Sequence, residues 1–381
     1  RKEGRLMVYL DNAATTKYKP EEVYKAFEYY VREIGVSPGR GSYQLGIEAS
    51  RMLYKTRRVV AKYFGIDEPN VIFTKNSTEA INMLFNGLLE NGDHVIISCY
   101  EHNAVLRPLH TLKEKGIIDY SIISREDLLL PPEEVYKKYV KSNTVLFATT
   151  LASNLTGRVI YNPSLIRYMK VNGISTFVDS SQGAGKIQLS MSDEEIDYIA
   201  FTGHKDLLGL PGVGGLVCRQ KPSWKPLIQG GTGVLGDSYV NPNVFPEAYE
   251  AGTLNMPAIW SLNASLEWLK QNAESMIEHE KELMDYLVTE LDGIANITIY
   301  DREYDRVGAV GINIKDKKSN EIVQLLDDND ICTRGGIHCA ILAHEALGTK
   351  EIGVVRISIG WMNKKEDIDA LIEVLKRVGG C

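Results

Sequence analysis

Strand–helix alternation between residues 71 and 219 constrains this chain more than any other feature. Residues 71–74, 94–98, 117–123, 144–149, 175–179 and 196–201 include several near-continuous apolar runs, where a half-buried strand would alternate. Such strands are buried on both faces, as in a parallel sheet covered by helices on each side. Residues 214–219 read as one more strand. Helices are expected over 46–64, over 80–89, from Asn103 onward with Pro108 as a bend, and between 123 and 144. The pattern is that of a doubly wound α/β layer sandwich.

The flanks differ. Residues 6–10 form a short apolar strand, and Pro20-Glu21-Glu22 starts a helix with proline and acids in its first turn. Pro38-Gly39-Arg40-Gly41-Ser42 is a turn. Residues 221–250 are rich in Gly, Pro and Asn. They read as a long excursion, either an active-site loop or a surface exchanged with a partner subunit. A long amphipathic helix, whole or broken along the way, is expected from 257 to about 291. Strands at 294–300, 309–314 and 354–359 and helices at 320–328 and 364–378 then make a compact α+β unit. The expected division is 17–250 as a large domain and 251–381 as a small one, with segment 1–16 packed on the small one.

Composition excludes some functions. At 381 residues and a formal charge of −7, the chain has core enough and offers no basic stripe to a nucleic acid. No apolar run is long enough for a bilayer span, and no signal peptide is visible. Cys99, Cys218, Cys332, Cys339 and Cys381 are scattered, without paired spacing, which points to a reducing cytoplasm. His338, Cys339 and His344 offer at most half a metal site, so no metal is expected.

The candidate chemistry gathers at strand ends. Lys205 follows one apolar strand and precedes the glycine-rich run 209–215; Asp179 ends another strand. By itself Lys205 reads as a solvated surface charge. A lysine able to form a Schiff base, with an aspartate buried at a strand end, is what pyridoxal phosphate (PLP) requires of a protein. Ser77 and Thr78 stand where a strand gives way to a helix, a place that favours a phosphate, or else simply a helix cap. Thr202 and His204 could bind the same phosphate. Asp179 could hold the pyridine nitrogen protonated, Gln182 and Asn154 could meet the phenolic oxygen, and His102 could stack on the ring.

The segments Asp11-Asn12-Ala13-Ala14-Thr15, Ser77-Thr78-Glu79-Ala80-Ile81-Asn82, Glu101-His102-Asn103, Asp179-Ser180-Ser181-Gln182, Gly203-His204-Lys205 and Ala251-Gly252-Thr253 together resemble the class V aminotransferases. The resemblance runs from about Tyr9 to the final helix. It implies a fold-type I PLP homodimer: a large domain with a mostly parallel seven-stranded sheet in an α/β/α sandwich, plus a smaller α+β C-terminal domain. It makes Lys205 the Schiff-base lysine and sends Thr253 to the phosphate in the neighbouring subunit.

Within that family the run Arg334-Gly335-Gly336-Ile337-His338-Cys339-Ala340 is similar to the nucleophile loop of second-group cysteine desulfurases. The resemblance implies that Cys339 takes sulfur from L-cysteine as a persulfide, leaves L-alanine, and passes the sulfur to an acceptor protein, for instance in iron–sulfur cluster assembly. Arg334 and His338 are expected to favour the thiolate. Arg356 matches the position that clamps the substrate carboxylate, in a setting shared with Asn154. Catalysis would then rest on Lys205, Cys339 and His102. A selenocysteine lyase acting on L-selenocysteine uses similar residues. Transamination, another class V reaction, or a PLP-fold protein serving only as a docking partner are further alternatives.

Overall fold

The structure, a computed structural model, describes residues 7–39 and 41–379. Residues 1–6, Arg40, Gly380 and Cys381 lie outside them, and with them the start of the strand expected from Leu6, part of the turn at 38–42 and any role for Cys381.

The chain opens with β1 (Val8–Tyr9), α1 (Glu21–Tyr29), which continues into a π-helical turn at Tyr30–Ile34, and α2 (Gln44–Tyr63). There follow β2 (Val71–Thr74), α3 (Ser77–Leu88), β3 (Asp93–Ser98), α4 (Asn103–Glu114), β4 (Ile118–Ile123), α5 (Pro132–Tyr139), β5 (Thr144–Thr150), α6 (Pro163–Val171), β6 (Ser175–Asp179), β7 (Tyr198–Thr202) and β8 (Gly214–Cys218). Seven of these strands form one sheet in the order β2-β8-β7-β6-β5-β3-β4. β8 is antiparallel to both neighbours, while the other pairs are parallel.

The near-continuous apolar strands have the predicted cause. Successive residues feed opposite cores: Phe73, Ile96, Phe147, Val178 and Phe201 enter one, and Ile72, Val95, Leu146, Phe177 and Ala200 the other. Side chains of a strand alternate across the sheet, so both faces need apolar residues. Because β3, β5, β6 and β7 run parallel, their C-terminal ends lie at one edge, where ligands of open α/β sheets bind.

α7 (Met256–Asp292) is one unbroken helix. Its first half, through Leu262, Leu266 and Leu269, packs in the first of those cores. Its second half, through Leu283, Leu287 and Leu291, packs in a separate core with Leu10, Val310 and Ile357. That second core draws on β9 (Ile297–Ile299), β10 (Ala309–Ile314), α8 (Ser319–Asp327) and β11 (Ile331–Cys332), and, beyond β12 (Arg334–Gly336) and α9 (Ile341–Leu347), on β13 (Val354–Ser358) and α10 (Lys365–Gly379). An antiparallel sheet runs in the order β12-β13-β10-β9, and β1 pairs separately with β11.

The sequence reading missed α6, α9, β11 and β12. β12 is Arg-Gly-Gly, without strand propensity, and exists because it pairs with β13. The excursion 221–250 contains only a single short helical turn, Glu247–Tyr249, among its elements. Its end is pinned: the Arg57 guanidinium meets the Glu250 carboxylate at 2.6 and 2.8 Å, both groups buried. Among the described residues, no helix is long and apolar enough to cross a membrane.

Candidate active site

At the C-terminal edge of the parallel strands lies a cavity of about 180 Å³. Ser77, Thr78, His102, Asn154, Asp179, Gln182, Thr202, His204 and Lys205 all line it, with Asn76, Thr150 and Ser181. Nine residues spread over 129 positions of sequence thus meet because each ends a strand or lies within a few residues after one.

The α3 end is shaped for an anion. The expected cap, Ser77 or Thr78, is not the cap; Asn76 Oδ1 accepts from the Glu79 N–H at 3.0 Å. The Ser77 and Thr78 side chains therefore remain available to a ligand at the helix N-terminus. Gly214 makes the approach possible: a Cβ there would lie 2.7 Å from the Asn76 Cα and 2.6 Å from the Phe201 carbonyl oxygen. The Thr202 hydroxyl is buried with no partner.

Asp179 is buried, and its Oδ1 accepts from the Ser181 N–H at 3.0 Å and the Ser181 hydroxyl at 2.5 Å. Gln182 Nε2 donates to the Ala13 carbonyl at 2.8 Å. Asn154 Nδ2 donates to the His338 carbonyl at 2.7 Å, while its Oδ1 is buried without a partner. His102 caps α4 with Nδ1, which accepts from the Ala104 N–H at 3.0 Å.

Lys205 keeps some surface toward the cavity but is otherwise enclosed. Burial, with the Arg356 charge adding and Asp179 opposing, lowers its pKa to about 8. Burial, then the Lys205 charge, lowers both His102 and His204 to about 4, so both rings are neutral at pH 7. A lysine with a depressed pKa is a better nucleophile toward a carbonyl and a usable base.

A strap that sequence reasoning did not assign runs over Lys205. The Thr16 hydroxyl donates to the Lys205 carbonyl at 2.9 Å, and Lys19 Nζ donates to the His204 carbonyl at 2.8 Å. His204 Nδ1 lies 3.0 Å from the Thr15 hydroxyl. At its other end, Asp11 Oδ1 accepts from Arg356 Nη2 at 2.6 Å. The only signal in the sequence was the Asp11–Thr15 run itself, which carried no partner information.

Arg356 is buried in β13, and its Nη1 donates to the Asn154 carbonyl at 2.9 Å. Cys339 is not in the cavity. It lines an adjoining groove of about 380 Å³ that shares Thr78 and His102 with it. His338 and Cys339 both have positive φ, 53° and 56°, a backbone state non-glycine residues adopt rarely. Burial, with Arg356 adding, pushes His338 down to about 3, and its Nε2 meets the Val354 carbonyl at 2.8 Å. With a neutral ring, His338 offers no positive charge to the neighbouring Cys339. Thr253 faces a separate cavity of about 480 Å³, which shares Asn76 and His204 with the first.

Cys99 and Cys218 are buried, and burial pushes the Cys99 thiol up to about 12, so neither competes as a nucleophile. Among the described residues no cluster could hold a metal ion.

The fold is that of a fold-type I enzyme, and the class-V aminotransferase pattern matches residues 8–371; the chain belongs to that family. Enzymes of this family depend on PLP. Its relatives include a probable cysteine desulfurase of Methanothermobacter thermautotrophicus, 32% identical over 98% of this chain and 95% of that protein. The cysteine desulfurase of Wigglesworthia glossinidia brevipalpis is 28% identical over 98% and 92%. Among solved structures, the apo cysteine desulfurase of Thermococcus onnurineus NA1 superposes with a TM-score of 0.89 at 26% identity, covering 98% of this chain and 94% of that one. A cysteine desulfurase of Escherichia coli in its S-sulfonic acid form gives 0.85 at 25% identity, covering 97% and 94%.

Proposed function

We propose that this chain is a PLP-dependent cysteine desulfurase that converts L-cysteine to L-alanine and carries the sulfur away as a Cys339 persulfide. The observation that carries this is the placement of Cys339 in a groove that shares Thr78 and His102 with the Lys205 cavity.

The residues fit the cofactor. The unpartnered buried hydroxyl of Thr202, the Ser77 and Thr78 end of α3 and a buried carboxylate at Asp179 are what a phosphate and a pyridinium need. Ser77, Thr78, Thr202 and His204 would hold the phosphate, Asp179 the ring nitrogen, Gln182 and Asn154 the phenolic oxygen. Lys205 would carry the Schiff base. PLP, when bound, supplies the sink for electrons released at the substrate Cα.

Arg356 holds the substrate carboxylate; its Nε is buried without a partner. Lys205 Nζ would take the Cα proton as general base. Cys339 Sγ, as thiolate, would form a bond to the substrate sulfur while the substrate carbon–sulfur bond breaks, its electron pair staying on the carbon, which takes up a proton to become the methyl group of alanine. Its strained loop lies beside the groove through which an acceptor protein can reach it. The neutral His102 ring covers one side of the cavity and needs no proton change to do so.

We also propose a homodimer in the cytoplasm. Tyr24, Phe27 and Tyr29 on α1 and Tyr239 and Val240 in the excursion are exposed apolar side chains, as a partner surface requires. Thr253 would then serve the neighbouring subunit's phosphate. The proposed domains are 17–250 and 251–381, with the segment around β1 joining the second.

The test is a product assay with L-cysteine and L-selenocysteine on the wild type and Cys339→Ser. Alanine and sulfide from L-cysteine, lost in Cys339→Ser, support the reading. Full activity of Cys339→Ser on L-cysteine overturns the persulfide step, selective turnover of L-selenocysteine favours the lyase, and a keto acid product means transamination.

A further inference from the structure

The Arg356 guanidinium is held before any substrate arrives. Nη1 donates to the Asn154 carbonyl at 2.9 Å and Nη2 to Asp11 Oδ1 at 2.6 Å, while Nε is buried with no partner. Asp11 is the sole acid ion-paired with Arg356 among the described residues. The neighbouring charge is of the same sign: Arg334 stands directly opposite Arg356 across β12 and β13.

Asp11 owes its own position to the backbone. It bridges to Ser358, two residues beyond Arg356 on β13. The Asn12 N–H donates to the Ser358 carbonyl at 3.3 Å and the Ala13 N–H to the Ser358 hydroxyl at 3.0 Å. The Tyr9 hydroxyl donates to the Asp11 carbonyl at 3.2 Å. The carboxylate therefore stays in register with Arg356 whether or not the ion pair forms.

We infer that Asp11 is a positioning residue for the substrate: it fixes the plane of the Arg356 guanidinium so that its unpartnered Nε stays available to an incoming amino-acid carboxylate. This inference rests on the desulfurase reading for its substrate, but the geometry requires only an α-amino acid. A guanidinium offers five N–H donors in one plane, so two fixed partners determine where the rest point. Without the Asp11 charge, Arg356 would face only carbonyl dipoles and the repulsion of Arg334. It would then have to be reoriented each time a carboxylate bound.

The experiment compares wild type, Asp11→Asn and Asp11→Glu, all PLP-loaded. L-Alanine binding is measured by calorimetry and L-cysteine turnover by steady-state kinetics. Asp11→Asn is expected to weaken L-alanine binding and raise KM about tenfold, with kcat within about threefold, because uniform binding is what is lost. Asp11→Glu, which restores the charge, is expected to recover part of the affinity. An unchanged or lower KM in Asp11→Asn, or a fall in kcat alone, overturns the inference. Failure of the wild type to desulfurate L-cysteine would overturn the functional reading instead, since L-alanine binding still reports on Asp11.

Discussion

The Lys186 ammonium lies 2.9 Å from the carboxylate of Asp206, the residue that follows Lys205. Glu280 on α7 shares the same ammonium at 2.8 Å, and all three groups are buried. Asp206 also accepts from the Gly183 N–H at 2.6 Å, which ties the loop after β6 to the loop after β7. The lysine loop is thus fixed from below by buried charge and from above by the N-terminal strap.

Removing the cation from this cluster leaves two buried carboxylates uncompensated. Lys186→Met is expected to lower unfolding free energy by about 3–5 kcal/mol, the range for breaking a buried pair on one side. Urea unfolding followed by circular dichroism measures it. A midpoint within error of wild type would mean that the cluster is solvated and not structural.

The depressed pKa of Lys205 makes a prediction for the cofactor-free protein. Between about 8 and the ordinary 10.5, the folded chain has lost a proton that the unfolded chain keeps. Stability rises with pH wherever the unfolded state binds more protons, so this group's cost fades across that window. Lys205→Met is expected to be more stable than wild type below pH 8, by a constant margin that closes as pH climbs toward 10. Parallel stability curves across the whole range would refute it.

Glu101 has the opposite sign. It is fully buried; its Oε1 accepts from the Ser98 hydroxyl at 2.5 Å and the Thr150 N–H at 2.8 Å, and its Oε2 has no partner. Burial raises its pKa from 4.5 to about 8. Across that window the folded chain holds a proton that the unfolded chain has released, so stability falls as pH rises. Glu101→Gln, neutral at every pH, should match wild type near pH 4 and exceed it at pH 9. Chemical denaturation at a series of pH values decides, and a variant less stable than wild type at pH 9 would count against a protonated Glu101.

The apolar strands were legible because burial on both faces leaves its mark on every residue of a strand. Lys205, Asp179, Ser77 and His102 were legible because each stands at or just past the end of a strand. What stayed hidden depends on partners far away in sequence. Nothing near Asp11 announces Arg356, and nothing near Glu250 announces Arg57. β12 has no propensity of its own, and the charge state of His338 follows from burial under β13, which the sequence does not display. Residues whose role is set by their own segment can be read, whereas residues whose role is set by a contact cannot.

The Arg57–Glu250 pair gives the last prediction, since it fixes where Thr253 can act. Glu250 Oε1 also accepts from the Phe73 N–H at 2.6 Å, so the chain three residues before Thr253 is tied to β2. Thr253 itself is exposed and faces the cavity beside the one that holds Lys205. If it serves the partner's phosphate, two defects on different subunits must complement. Take a mixed dimer of one Lys205→Ala subunit and one Thr253→Ala subunit. Action across the interface leaves one site intact, with Lys205 from the second subunit and Thr253 from the first; action within a subunit leaves none. The mixed dimer, isolated with two different affinity tags, is expected to hold PLP at one site per dimer with wild-type retention on dialysis. The Thr253→Ala homodimer should lose it about tenfold faster, in line with one charge-assisted hydrogen bond to phosphate. Equal loss from both dimers would place Thr253 in its own subunit's site or in none.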